Sequence, residues 1–461
     1  MIPAELAILA AILAAAACFW RVYRYRRWFR LPPRRDDALA FRGRHHAVTV
    51  SLSPQGFELP TDLQVSGRTV LLHLTVASSL FGRLFDPCIE FRRDPRSGRQ
   101  YFERGASGQR YLNLSALFTG PEPGSGRQVH LRGRSVRWDA RACLLVFDQP
   151  AVEDAVVMVV APHPDDAEIA AFGMYAFRRS WVVTVTAGER ATWIVPAAIA
   201  ATDRARWAAL LRVSDSLTVP QLGEVPPQRL VNLACPDGAL EAMFREPSRA
   251  FALGCEAQLP RAKLRAKNGL TEFQQGAAGA TWNDLLDDLQ RLLELSRPDI
   301  IICPHPQGDA HPDHIFTTVA LERSLRRVPG KRPLLLLYTV HTEGAPAHPF
   351  GPPEAVVGPP PGAHASWLLD SVYSLELAPF HQQAKRFAVA AMHAVRASDA
   401  HESTTGLKGL ARRTSGLLSG MGIHPASLLR RTCRPNELYY VVRGEDMSAL
   451  VAGIPDPSGT L

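Results

Sequence analysis

Hydrophobic and polar positions change their rhythm three times along this chain. Ile2–Trp20 is Ala, Leu and Ile interrupted only by Glu5. From about residue 46 to 150, short β-prone runs recur: Ala47–Leu52, Thr69–Val76, Cys88–Phe91, Gln100–Phe102, Tyr111–Leu114, Val129–Leu131 and Leu144–Phe147. Turn chemistry such as Asp94-Pro95-Arg96-Ser97-Gly98 separates them. Strands at this spacing, with no helical period between, predict a small antiparallel sandwich or barrel. After Gln149-Pro150 the pattern becomes strand–helix–strand. Val156–Val160, Trp181–Thr186, Ile300–Cys303, Leu334–Val340, Val372–Leu377 and Leu438–Val442 read as strands. Glu168–Arg178, Thr202–Val213, the repeat Leu285, Leu286, Leu289, Leu292, Leu293 and the stripe Phe380, Ala384, Phe387, Ala388, Ala391 read as helices. Continuous apolar strands alternating with helices predict an α/β domain with a mostly parallel sheet. Gly344–His364, rich in Pro and Gly, is expected to be a long loop, with the chance to act as a lid.

The N-terminal apolar run is near the lower limit of roughly 17–25 residues for a bilayer span. Arg21, Arg24, Arg26, Arg27, Arg30, Arg34 and Arg35 follow it, and such clusters stay on the cytoplasmic side. The expectation is a single-pass protein of a bacterial-type inner membrane with its catalytic part in the cytoplasm. Four segments result: a transmembrane helix over 1–22, a basic linker over 23–45, the β-rich domain over 46–150 and the α/β domain over 151–461. Those seven arginines also absorb most of the net charge of +8, so no basic face remains for a nucleic acid. With 461 residues and 46% apolar content, the chain is long enough for two or three packed domains. Its seven cysteines are scattered, odd in number and without a C-x-x-C, so neither a disulfide framework nor a cysteine-bound zinc is expected.

Two of the apolar strands end in histidine and aspartate. Val156–Val160 leads into Ala161-Pro162-His163-Pro164-Asp165-Asp166, and Ile300–Cys303 leads into His305, Asp309, His311, Pro312, Asp313 and His314. Open α/β sheets collect ligands outside the carboxyl ends of their strands. Imidazole with carboxylate suits zinc or another divalent cation. A lone cluster is a common turn; two at separate strand ends are what a shared site needs.

His163-Pro164-Asp165-Asp166, followed far downstream by His311-Pro312-Asp313-His314, resembles the PIG-L/LmbE-like deacetylases, zinc-dependent enzymes that remove N-acetyl groups from amino sugars. The resemblance covers roughly residues 152–443 and implies a Rossmann-like α/β fold. It implies that His163, Asp166 and His314 bind Zn2+, and that Asp165 takes a proton from water. It further implies that His311, protonated, stabilises the oxyanion while Asp313 holds its ring, with Asp309 and His305 as supporting groups. Beside a membrane span, the expected substrate is an N-acetylamino sugar in a lipid-linked or envelope glycan of lipopolysaccharide type. The alternatives are another metal-dependent deacylase or esterase, and a non-catalytic glycan-binding membrane protein.

Overall fold

A computed structural model describes residues 36–120, 126–342, 344–401 and 427–454. The first part is all-β. Strands β1 (His46–Ser51), β2 (Gly56–Glu58), β3 (Thr69–Ser78), β4 (Cys88–Arg93), β5 (Arg96–Tyr101), β6 (Ser107–Asn113), β7 (Gln128–Arg134) and β8 (Val136–Phe147) form two antiparallel sheets. Their orders are β1-β8-β3-β6 and β2-β7-β4-β5. Val70, Leu72 and Leu74 of β3 meet Ile89 and Phe91 of β4 and Val129 and Leu131 of β7 in one core. Leu71, between them, points the other way and joins Met158 and Val160 of the next region. Both faces of β3 are therefore covered, which is why its sequence reads as an unbroken apolar run.

The second part is a seven-stranded mixed sheet with helices packed on it. In chain order it contains β9 (Val157–Ala161), α1 (Asp166–Tyr175), β10 (Ser180–Thr186), α2 (Ala201–Thr218), β11 (Leu230–Cys235), α3 (Trp282–Ser296), β12 (Ile300–Pro304), α4 (Pro312–Arg327), β13 (Leu334–Tyr338), β14 (Ser371–Glu376), α5 (Pro379–Ala391) and β15 (Asn436–Val442). The order across the sheet is β11-β10-β9-β12-β13-β15-β14. Strands β11 through β13 in that order are parallel, and β15 is antiparallel to both its neighbours. Met158 and Val160 face one core while Val157, Val159 and Ala161 face the other, so β9 is apolar on both sides. From β9 the chain steps outward to β10 and β11, then returns to the opposite side of β9 as β12. That reversal is a topological switch point, where loops leaving adjacent strands diverge and open a crevice. The ends of β9 and β12 carry the two histidine–aspartate clusters.

Two expectations change. The predicted span over residues 2–20 lies outside the described residues. Among the described residues no helix is long and apolar enough to cross a membrane. The longest of them, α2, carries Asp203, Arg204, Arg206, Arg212 and Asp215 along its 18 residues. Placement as a single-pass inner-membrane protein is accordingly withdrawn. The segment over 344–364 is irregular as expected, yet it is held down. Arg434 donates to the carbonyls of Pro349, Phe350, Gly351, Pro352 and Ala355. Val356 bonds Arg99 of β5 and enters the all-β core. Its anchoring ties the two regions together and argues against a freely moving lid.

Candidate metal centre

The turn after β9 is fastened to the neighbouring strand: the Thr186 N–H and hydroxyl both donate to the Pro162 carbonyl, at 3.0 and 2.9 Å. Asp166 opens α1, and its Oδ2 accepts the His163 backbone N–H at 2.9 Å. After β12, Asp309 N–H closes a turn onto the His305 carbonyl at 2.9 Å. Pro312 then starts α4, a position where its missing N–H costs nothing. His314 lies in the first turn of α4 and is fully buried.

These elements bring three donor atoms into a nearly equilateral triangle. His163 Nδ1 and Asp166 Oδ2 are 3.3 Å apart, Asp166 Oδ2 and His314 Nε2 3.2 Å, and His314 Nε2 and His163 Nδ1 3.3 Å. Tetrahedral coordination at ordinary zinc–nitrogen and zinc–oxygen lengths separates ligand atoms by about 3.3 Å. Two imidazoles and a carboxylate at this spacing fit such an ion. Burial alone would lower the His314 pKa, but Asp166 and Asp309 hold it up at about 9. The cluster thus favours positive charge at its centre, which a divalent cation also supplies. Two overlapping sets widen the site: the donors of His163, His311 and His314, and those of Asp166, His314 and His341, each lie within 4.8 Å of one another.

Carboxylates fix the far side of both imidazoles. Asp309 Oδ2 is 3.0 Å from His314 Nδ1 and also accepts the Val340 and His341 N–H groups. Burial alone would raise the Asp309 pKa; the His314 charge and hydrogen bond overcome it and hold the group far below the usual carboxylate range. Asp313 Oδ2 and Asp237 Oδ1 lie 3.3 and 3.4 Å from His163 Nε2. Asp313 is anchored in turn by the N–H groups of Gly238 and Leu240. Imidazole ligands commonly carry such a carboxylate on the second nitrogen, which sets tautomer and ring orientation.

This arrangement changes the expected partner of the Asp313 carboxylate. The Asp313 carboxylate serves His163, not His311; only its backbone N–H reaches His311, donating to Nδ1 at 3.1 Å. That bond caps α4 and leaves the proton of a neutral His311 ring on Nε2. Burial, with His163 and His314 nearby, pushes the His311 pKa down to about 4. That direction disfavours the protonated ring that was expected, and a neutral ring still offers one proton to donate. His305 stands apart from the cluster: its ring packs on Trp367 and Tyr440 and accepts from Gln307 N–H.

Asp165, immediately before Asp166 at the N-cap of α1, meets a partner that no sequence pattern signals. Arg212 of α2 donates to its two oxygens at 2.7 and 3.4 Å. Asp237 and His341 were also missed. Asp237 follows the buried strand β11 much as the other clusters follow β9 and β12, so its position was available in the pattern. His341 follows β13 in the same way. Arg212 was not: an arginine in mid-helix reads as solvent-facing.

No curated protein matches the chain. Among solved structures, the chain is similar to N,N'-diacetylchitobiose deacetylase from Pyrococcus horikoshii, with a TM-score of 0.34 and 15% identity over 63% of this chain and 85% of the other. It is similar to a teicoplanin deacetylase in a zinc-inhibited form, with a TM-score of 0.33 and 14% identity over 63% and 99% of the two chains. A 4-carboxy-2-hydroxymuconate hydratase from Pseudomonas putida gives 0.33 and 13%, over 62% and 96%. These likenesses are loose, and the enzymes named differ in chemistry. A family model is more direct: residues 158–324, from β9 into α4, match PIG-L, GlcNAc-PI de-N-acetylase. Over this stretch the chain carries a PIG-L family-model domain.

Proposed function

We propose that the chain hydrolyses the N-acetyl amide of an N-acetylamino sugar with a divalent cation, zinc by the chemistry of the donor set. His163 Nδ1, Asp166 Oδ2 and His314 Nε2 hold the ion, and three protein ligands leave a position open for the reaction. When bound, the cation supplies Lewis acidity and lowers the pKa of water. Asp309 on His314, with Asp313 and Asp237 on His163, holds a proton on the far nitrogen of each ring and so aims the other nitrogen at the ion. Asp165 receives the proton of the attacking water and passes it to the leaving amine, the general base and acid step that amide hydrolysis requires. His311 Nε2–H donates to the carbonyl oxygen as that oxygen gains charge.

The observation that supports this reading most is the triangle of 3.2–3.3 Å separations among His163, Asp166 and His314. The preference for a lipid-linked or envelope glycan drew on the N-terminal span, and the substrate class proposed is the amino sugar alone. The test is acetate release by the zinc-loaded full chain from N-acetylglucosamine and its glycosides, beside N-propionyl, N-butyryl and O-acetyl analogues. Acetate release from the N-acetyl sugars is expected, and Asp165→Ala should abolish it while zinc content stays unchanged. A chain that releases no acetate from any of them, or that prefers the ester, contradicts the proposal.

A further inference from the structure

We infer that Arg212 is a positioning residue for this chemistry: it aims the Asp165 carboxylate, an inference that rests on the reading of Asp165 as the base. Asp165 occupies the N-cap of α1, with φ −131° and ψ −11°. An aspartate there ordinarily turns its carboxylate onto the free N–H groups of its own helix. This one makes no such bond. Both oxygens are instead taken by one guanidinium, Nη2 to Oδ1 at 2.7 Å and Nη1 to Oδ2 at 3.4 Å.

The guanidinium is committed to that task. The Arg212 side chain is 6% exposed. Gly188, in the turn after β10, packs flat against it: a Cβ there would come within 2.4 Å of Arg212 Nε, and φ is +69°. Glycine thus provides both the left-handed turn and the space for the arginine. One turn along α2, Asp215 accepts from the His393 backbone at 2.8 Å and meets His393 Nδ1 at 2.7 Å, fixing the helix that carries Arg212. A carboxylate acting as a base has to be held within about 0.5 Å of its working position. Asp165 has forgone its helix cap, and the planar fork of Arg212 constrains it in place of that cap. The fork also sets a positive charge that acts on Asp237 as well as on Asp165.

The test uses the full chain with Arg212→Ala, Arg212→Lys, Asp165→Ala and the Arg212→Ala/Asp165→Ala double variant, measuring kcat, KM, zinc affinity and Tm for each. Arg212→Ala should lower kcat by roughly 100-fold, the scale of a misplaced catalytic group. KM should stay within about twofold and zinc affinity should not change. Added guanidinium should restore part of kcat in Arg212→Ala and none in Asp165→Ala. Arg212→Lys should recover little, since one ammonium cannot form the fork. In thermal unfolding, Asp165→Ala alone should cost more Tm than the double variant, because it leaves a buried guanidinium unpaired. An unchanged kcat in Arg212→Ala, or a loss that follows folded fraction and ignores guanidinium, overturns the inference. Should the parent chain release no acetate, the functional reading fails, while additive Tm changes would still refute the pairing on its own.

Discussion

Helices α2 and α3 are of similar length and flank the same sheet, yet they are built on opposite principles. α3 opens with a reciprocal cap: Asp284 N–H donates to Thr281 Oγ1 while Thr281 N–H donates to the Asp284 carboxylate. It buries Leu285, Leu286, Leu289, Leu292 and Leu293 and has no fully buried charge of its own, Asp288 reaching from its edge to the buried Arg265. α2 has no side-chain cap, buries Arg212, Asp215 and Ser216 along with alanine and valine, and leaves Trp207 43% exposed. A helix that serves only the core follows the hydrophobic period. A helix that also serves a site breaks it, since a charge can be buried where a fixed counter-charge meets it.

Substitutions at the site and in the core separate these two kinds of helix. His314→Ala removes one corner of the donor triangle. Zinc content and acetate release should both fall to background, with calorimetry showing a folded chain. Leu289→Ala, on the core side, should cost about 2–5 kcal/mol of stability in denaturant titration while leaving kcat per folded molecule unchanged. Asp309→Asn keeps the shape but not the charge behind His314. Zinc affinity by competition with a chelator should fall roughly 10- to 100-fold.

Glu168 in α1 gives a signed pH effect. Burial pushes its carboxyl up to about 8 from an ordinary value of 4.5, and Tyr175 OH donates to it at 2.9 Å. Between those two values the folded chain keeps a proton that the unfolded chain releases. The contribution of Glu168 to stability therefore falls as pH rises through that window. Glu168→Gln retains an acceptor for Tyr175, and its Tm should lose less than that of the parent chain from pH 5 to 8. Trp207→Ala, on the exposed face of α2, should change stability by no more than about 0.5 kcal/mol.

How far the sequence could be read follows the same division. Strands β9 and β12 announced themselves because both faces are buried, leaving β-branched runs with no polar interruption. Their ends announced the site because His163, Asp165, Asp166, His311, Asp313 and His314 sit in two compact polar turns, and the fold carries both turns to the switch point. What stayed hidden depends on contacts between distant segments. Nothing near Arg212 in the chain points to Asp165, and nothing near Asp313 shows whether its carboxylate turns toward His311 or His163. β11 was overlooked because Leu230–Cys235 is interrupted by Asn232, whose amide is buried and bonds Thr186 and Ser216. The anchoring of the 344–364 segment was equally invisible, since it depends on Arg434 far along the chain.

The proposed hydrolysis requires three side chains to share one cation. The direct measurement is zinc titration into the chelator-stripped full chain by calorimetry, with acetate release followed in the same samples. One ion per chain is predicted, with release rising in proportion, and His163→Ala, Asp166→Ala and His314→Ala should each weaken uptake and release together. Zinc uptake that is unchanged in all three variants, or release that persists in the stripped protein, would contradict it.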